Sequence, residues 1–178
     1  MRKSCARNIG VLNKLKHFLP EQALYRLYCS LVLPYLNYGL LLWGNANKTT
    51  LGKVYKLQKR ALRIISNSHY LSSSKPLFDK YNVLNIFDMY KKEVGIFMYK
   101  YRNNMLPQSF DGIFTNHQSN HNYDTRNKGD YKLSMQRVNT IVKTGPKIWN
   151  ELPKYIKNSK TLGLFKKNIS HVFLSAIK

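Results

Sequence analysis

Apolar residues recur every three to four positions through the first two thirds of the chain, which is the spacing of amphipathic helices. One such helix is predicted from Ile9 to Leu19. Pro20 suits the first position of a second helix, and Pro34 is expected to kink or end that helix. The run from Tyr35 to Trp43 is apolar nearly all round and therefore predicts a buried helix.

The next predicted helix, from about Leu51 to Ser66, has its apolar residues and its cations on opposite faces. Thr49 or Thr50 is predicted to cap it. At about 100° per residue, its apolar side chains fall within one half of the helical wheel and its cations within the other. The apolar positions are Val54, Leu57, Ala61, Leu62, Ile64 and Ile65. The cationic positions are Lys53, Lys56, Lys59, Arg60 and Arg63.

Two interpretations of these five cations stay open. A charged helix face is usually a solvated face. Solvated faces normally mix signs, because opposite charges four residues apart stabilise a helix. No carboxylate occurs on this helix, which favours contact with phosphate groups as the second interpretation.

The helical pattern continues beyond the serine-rich loop at residues 72–74. A short helix is predicted from Leu77 to Tyr81, and Asn85 is predicted to cap a long helix from Ile86 to about Asn103. Methionine and aromatic residues follow one face of the long helix, and we expect them in the core rather than on a platform for stacking.

The C-terminal third differs in composition from the first two thirds. Residues 116–130 are polar and rich in Asn and His, which predicts a long loop. Alternating residues from Tyr131 to Val142 predict a weak two-stranded hairpin, and Thr144-Gly145-Pro146 is expected to break the chain. A final helix is predicted after a cap at Thr161.

Together these patterns predict a mainly α fold. A helical bundle is expected over residues 1–105, followed over residues 106–178 by a loop-rich, partly β segment that ends in a helix. Composition agrees with a folded chain, since 43% of the 178 residues are hydrophobic and 13% are aromatic.

Charge sets this sequence apart from an ordinary domain. The chain holds 30 Lys and Arg against 8 Asp and Glu, which gives a formal net charge of +22. Such a field repels itself and attracts polyanions, so nucleic acid or an anionic membrane surface is the expected partner. No apolar run is long enough to span a bilayer. We expect an intracellular protein of the nucleus or the cytoplasm.

The acidic residues are too few and too scattered for a two-metal active site, which needs several converging carboxylates. They are Glu21, Asp79, Asp88, Glu93, Asp111, Asp124, Asp130 and Glu151. Two cysteines, Cys5 and Cys29, form neither a disulfide framework nor a four-cysteine zinc site, and His117 and His121 lie in a predicted loop. No glycine-rich phosphate loop occurs. We therefore expect no metal and no cofactor.

Two further features bear on binding. The cluster from Asn122 to Arg126 is either a structural turn or, through its arginine, a clamp for a phosphate or a base. Many of the 13 tyrosines stand next to Lys or Arg. That pattern suits a single strand of nucleic acid whose backbone contacts the cations and whose bases stack on the tyrosine rings. Tyrosine is also an ordinary half-buried residue.

Three groups of residues, in this order, resemble one family. The first runs from Leu24 to Gly44 and the second from Leu57 to Ile65. The third comprises Asn122–Arg126, Gly145–Pro153 and Phe165-Lys166. They resemble the region that follows the polymerase palm in reverse transcriptases of non-LTR retrotransposons, of the jockey-like class. The resemblance covers nearly the whole chain.

The resemblance implies a helical thumb that lies along the template–primer duplex, followed by a basic segment. It also implies that the catalytic aspartates lie upstream of Met1, since Phe78-Asp79, Phe87-Asp88 and Phe110-Asp111 each carry a single Asp. The chain is then expected to be a truncated element copy or a fragmentary gene model, without polymerase activity of its own.

The predicted function is sequence-tolerant binding of RNA, DNA or the RNA–DNA hybrid, beside a palm supplied elsewhere. The candidate phosphate-binding residues are Lys53, Lys56, Lys59, Arg60 and Arg63, with Arg126 and Lys147 added by resemblance and charge. Three alternatives stay open: a free-standing basic nucleic-acid-binding or chaperone protein, a membrane-surface protein with basic amphipathic helices, and a remnant without function.

Overall fold

The computed structural model describes residues 2–115, 130–135 and 140–175, and over these residues the fold is mainly helical. The predicted mainly α class is therefore confirmed. The chain divides into two compact units, residues 1–89 with 174–178 and residues 90–173. The division expected from composition, near residue 105, lies further along the chain and remains a prediction.

Helices of the first unit pack around one apolar core. In chain order they are α1 (Arg2–Leu15), α2 (Glu21–Leu31), α3 (Leu33–Asn37), α4 (Leu40–Trp43), α5 (Lys48–Ile65) and α6 (Lys75–Lys80), with the first residues of α7 (Ile86–Arg102). α1 packs against α5 and α2, and α2 packs against α5 and α3. Side chains at the centre of this core include Ile9, Leu12, Tyr28, Leu36, Leu40, Leu62, Ile65 and Ile86.

One polar side chain is buried in this core and ties α5 to the start of α7. Gln58 is 1% exposed, its Nε2 donates to Leu84 O (2.8 Å), and its Oε1 accepts from Ile86 N (3.0 Å). The Ile86 N–H belongs to the first turn of α7, where no intrahelical acceptor exists. Gln58 therefore does inside the core what a capping residue does at an exposed helix end.

The caps predicted at Asn85 and Thr161 are confirmed. Asn85 Oδ1 accepts from the N–H groups of Phe87 (3.0 Å) and Asp88 (3.1 Å). Thr161 Oγ1 accepts from Leu164 N at 3.2 Å. Each cap satisfies N–H groups that the first turn of a helix leaves without a partner.

The cap predicted for α5 at Thr49 or Thr50 is wrong. Asn47 Oδ1 accepts from Thr50 N at 2.8 Å, so the helix begins earlier, at Lys48. Asparagine stabilises an N-terminus at least as well as threonine, and the residue that caps is the one whose backbone is still extended.

The run from Tyr35 to Trp43 does not form the single buried helix that its composition predicted. Gly39 adopts a left-handed backbone conformation (φ +61°), which glycine tolerates without strain, and it separates α3 from α4. Tyr38 and Leu42 are each 84% exposed. An apolar run does not reveal by its composition which of its side chains face the core and which face the solvent. The burial of each side chain in residues 35–43 was therefore not decided by the sequence pattern.

The second unit contains most of α7 together with α8 (Ile141–Glu151), α9 (Lys154–Lys157) and most of α10 (Leu162–Ser175). Its core is aromatic. The Phe165 ring stacks on Trp149, with 6.0 Å between centroids, and on Tyr99, with 4.4 Å. Val94 and Met98 of α7 are fully buried there. The expectation that the methionine and aromatic face of α7 belongs to the core is confirmed for Met89, Tyr90 and Met98, whereas Phe97 and Tyr101 are half-buried.

The chain break expected at Thr144-Gly145-Pro146 is wrong, because α8 runs through all three residues. Gly145 and Pro146 are buried. A Cβ added at Gly145 would lie 2.7 Å from Met98 Sδ and 3.3 Å from Phe114 Cε1, so the helix is packed closely at this point. This packing maintains the helix although proline supplies no N–H to the preceding turn.

The hairpin predicted from Tyr131 to Val142 is also wrong, since Ile141 and Val142 begin α8 and residues 136–139 lie outside the described ranges. Tyr131 pairs instead with a side chain. Its N–H donates to Asn150 Oδ1 (3.0 Å), and its carbonyl accepts from Asn150 Nδ2 (2.8 Å). An amide side chain therefore satisfies the backbone groups that a second strand was expected to satisfy.

Candidate nucleic-acid interface

The cations of α5 lie on the face of the helix that points away from the core. Lys53, Lys56 and Arg60 are exposed. The opposite face supplies buried side chains, among them Leu51, Val54, Ala61, Leu62, Ile64 and Ile65. The 3.6-residue period produces this separation, and no acidic residue occurs on the helix to neutralise its charge.

Four of these cations form a stripe along the helix. Lys53, Lys56, Arg60 and Arg63 are spaced by three or four residues, so they follow one another on a single face. At about 1.5 Å per residue the stripe is about 15 Å long. A duplex carries about nine phosphate charges over that length, at about one per 1.7 Å of axis. Several phosphates are therefore within reach of the stripe at once.

Two of the five candidate residues are held by the protein itself. The Lys59 ammonium lies 4.7 Å from the centroid of the Tyr55 ring, and Arg63 Nε donates to Ser72 O at 2.8 Å. Both side chains are half-buried. Their charges still contribute to the positive electrostatic field of the helix, but these contacts restrict the positions that the two side chains adopt.

A cleft of about 600 Å³ opens at the C-terminal end of α5. Its lining residues are Asn13, Lys16, Arg60, Arg63, Ile64, Ser68, His69 and Tyr70. Among the described residues that line it, three are cationic and none is acidic. Two of the predicted site residues, Arg60 and Arg63, are brought together here with side chains from α1 and from the loop that follows α5.

Sequence reasoning missed Lys16, His69 and Tyr70. Lys16 lies in the turn after α1, far from α5 in the chain, and the packing of α1 against α5 brings it to the cleft. The sequence signal that could have indicated this region is the pair of cations, Lys14 and Lys16, at the end of α1 and just after it.

A second cleft, of about 620 Å³, differs in its charge. Glu21 lines it, pairs with Lys80 (2.6 Å) and accepts a hydrogen bond from the Tyr81 hydroxyl (2.9 Å). These hydrogen bonds, from Lys80 first and Tyr81 second, lower the pKa of the Glu21 carboxyl. A carboxylate that stays ionised repels phosphate, so this cleft is the poorer candidate.

The remaining candidate residues stand apart from α5 in the chain. Lys147 is exposed on α8. Arg126 lies outside the described residues, as do His117, His121 and the rest of the Asn122–Arg126 cluster. Phosphate contact by all seven candidates remains a prediction.

Other chemistry has little support from the described side chains. Within the described ranges, no three His, Cys, Asp or Glu residues come together to hold a metal ion. Asp88, beside Phe87, accepts from Asn85 Nδ2 at 2.6 Å and so belongs to a helix cap. Burial raises the pKa of the Cys5 thiol, which disfavours the reactive thiolate. None of the helices described here combines the length and apolar character needed to cross a membrane.

Comparison of the chain with protein-family models, curated proteins and solved structures gives no match. What bears on function is therefore the geometry and the charge of α5 and its surroundings, together with the order of motifs in the sequence.

Proposed function

We propose that this chain binds nucleic acid through the phosphate backbone, without sequence preference, as the thumb and following basic segment of an RNA-directed DNA polymerase of the non-LTR retrotransposon type. The observation that carries the proposal is the stripe of cations on α5, a helix without a carboxylate, in which Lys53, Lys56 and Arg60 are exposed. Backbone contacts give affinity and position without reading sequence, which is what a polymerase that copies any template requires.

The polymerase part of the proposal is supported by the order of the three groups of residues that resemble the family. The expected ligand is the RNA–DNA hybrid, because a duplex of this kind is recognised by its shape and phosphates rather than by its base edges. Catalysis belongs to a palm supplied elsewhere. The purified chain is expected not to extend a primer with deoxynucleotides and Mg²⁺, and extension would refute this part.

The salt dependence of binding tests the role of α5. Titration of a labelled RNA–DNA hybrid by fluorescence anisotropy, at several NaCl concentrations, gives the slope of log K against log salt. Replacing Lys53, Lys56 or Arg60 by Ala is expected to reduce that slope by about 1 each, equally for unrelated sequences. A smaller reduction is expected for Lys59→Ala, because this side chain is already engaged with Tyr55.

Lys75→Ala is the matched control, since Lys75 is an exposed cation on α6. It is expected to change the slope less than replacement of Lys53, Lys56 or Arg60. An unchanged slope in the triple variant K53A/K56A/R60A, folded by circular dichroism, removes α5 from the binding surface and with it the proposal.

Further outcomes separate the proposed function from its alternatives. Binding to anionic liposomes that outcompetes hybrid binding would favour a membrane-surface protein. Binding combined with accelerated strand annealing, from a gene that has no upstream palm-coding frame, would favour a free-standing chaperone. A folded chain that binds none of these ligands in dilute buffer would favour a remnant without function.

A further inference from the structure

The loop that follows α5 is fixed to the helix by its own backbone. Asn67 adopts a left-handed conformation (φ 48°). Its N–H donates to Ile64 O (3.3 Å), and the next N–H, of Ser68, donates to Arg63 O (3.0 Å). These two bonds form a Schellman motif, which ends a helix in a defined direction. The Ser66 and Ser68 hydroxyls, 2.7 Å apart, add a side-chain bond across the turn.

Arg63 holds the far end of the same loop. Its Nε donates to Ser72 O at 2.8 Å, and Ser72 N donates to His69 O at 3.0 Å. The loop is thus attached to α5 both at its start and at Ser72. Arg63 acts here as a positioning residue for the segment between these attachments.

The segment between the attachments presents an aromatic pair to solvent. Tyr70 is 72% exposed, and its ring centroid lies 4.7 Å from that of His69. His69 Nδ1 accepts from Leu71 N (3.3 Å), so in the neutral ring the proton is on Nε2, which is available to donate. An exposed tyrosine on a fixed loop, beside three cations, offers a flat apolar face next to positive charge.

A paired base cannot use such a face. Away from its ends, a duplex covers the faces of each base with the neighbours in the stack, and the grooves show only base edges. An unpaired base can leave the stack and lie against an aromatic ring, and this is how proteins commonly hold single strands. The volume of the cleft, about 600 Å³, lies in the range of sites for small organic ligands.

We propose that this cleft binds one unpaired nucleotide, with its base against Tyr70 and His69 and its phosphate at Lys16 and Arg60. The ligand class is a single-stranded segment adjoining the duplex that the α5 stripe contacts, because Arg60 belongs both to the stripe and to the cleft. The inference rests on the proposed function and adds to it a site that distinguishes unpaired from paired nucleic acid.

The test compares two probes, a blunt RNA–DNA hybrid and the same hybrid with a short single-stranded overhang, placed in turn at each end of each strand. At least one overhang is expected to tighten binding about 5- to 150-fold, the value of stacking one base. Tyr70→Ala is expected to remove this gain while leaving the affinity for the blunt hybrid unchanged. An overhang with an abasic first position keeps its phosphate but has no base to stack, so it is expected to show a smaller gain.

Two control variants make the result specific. Tyr70→Phe keeps the ring and is expected to keep the gain, and Leu71→Ala changes the exposed neighbour and is expected to have no effect. If the blunt hybrid binds but no overhang tightens binding, or if Tyr70→Ala weakens both probes equally, the cleft is not a nucleotide site and the proposed function stands. If neither probe binds, the proposed function fails and this inference fails with it.

Discussion

At the scale of single residues, the buried Gln58 side chain satisfies two backbone groups in the core of the first unit. Gln58→Leu keeps the bulk but leaves Leu84 O and Ile86 N–H buried without these partners. Each of these two unsatisfied groups costs about 1–3 kcal/mol, so we expect the free energy of unfolding to fall by about 2–6 kcal/mol. Urea denaturation followed by circular dichroism measures the change.

Gln22→Leu provides the matched control, because Gln22 is exposed on α2 and the substitution is chemically the same. It is expected to change stability by less than about 0.5 kcal/mol. Equal effects of the two substitutions would contradict the role given to Gln58.

The raised pKa of Tyr131 predicts how the free energy of unfolding changes at alkaline pH. Burial raises the pKa of Tyr131 to about 12, with a further contribution from Tyr101 and an opposing one from Arg102. An unfolded tyrosine titrates near about pH 10, so between about pH 10 and 12 the unfolded chain releases a proton that the folded chain keeps. The contribution of Tyr131 to the free energy of unfolding is therefore fully present below about pH 10 and is lost as the pH rises towards 12.

Tyr131→Phe is expected to reduce that alkaline loss, measured as the difference in the free energy of unfolding between pH 9 and pH 12. Comparing this difference, rather than stability at one pH, removes any effect of the substitution on packing. Tyr155→Phe, at an exposed position, is the control. Identical losses in wild type and Tyr131→Phe would show that Tyr131 does not contribute.

At the scale of elements, two helical glycines predict opposite effects of the same substitution. At Gly52 in α5 an added Cβ meets nothing within 4 Å, so Gly52→Ala is expected to stabilise by about 0.5–1 kcal/mol through helix propensity. At Gly145 in α8 the Cβ would press on Met98 and Phe114. Overpacking costs about 1–3 kcal/mol and exceeds the gain in propensity.

The pair is its own control, because each variant adds one methyl group to a helix. Thermal or urea unfolding of both variants should place wild type between them. If Gly145→Ala were as stable as Gly52→Ala, the packing of α8 against Met98 and Phe114 would be looser than described.

At the scale of the whole molecule, the net charge of +22 predicts that salt stabilises the fold. Self-repulsion opposes the compact state, and screening weakens it as the Debye length falls from about 10 Å at 0.1 M to about 3 Å at 1 M. Over this range of NaCl we expect Tm to rise by about 2–6 °C. That rise corresponds to about 1–2 kcal/mol for a chain of this size.

A variant with Lys53, Lys56 and Arg60 replaced by Gln reports on the same effect. It carries three fewer charges on one face, so its Tm at 0.1 M NaCl should be higher and its rise with salt smaller than those of wild type. A wild-type Tm that falls with added NaCl would exclude self-repulsion as a main determinant of stability.

Much of this molecule was predictable from neighbouring residues in the chain. The bounds of α7, its cap at Asn85 and the two faces of α5 follow from periodicity and local hydrogen bonds, which act within a few residues. Of the residues of the candidate site, the cations of α5 came from the sequence, whereas Lys16, His69 and Tyr70 did not. Lys16 lies beside Arg60 because α1 packs against α5. His69 and Tyr70 lie there because Asn67 and Arg63 fix the geometry of the loop.

The sequence by itself determined the helical class, the separation of charge from apolar surface on α5, and the net charge of +22. These properties depend on residue type and spacing alone. Tertiary structure decided that Pro146 lies inside a helix, that Tyr38 and Leu42 face solvent, and that a cationic cleft forms at the end of α5. Each of these depends on contacts between residues far apart in the chain, because packing energy outweighs local preference wherever a side chain is buried.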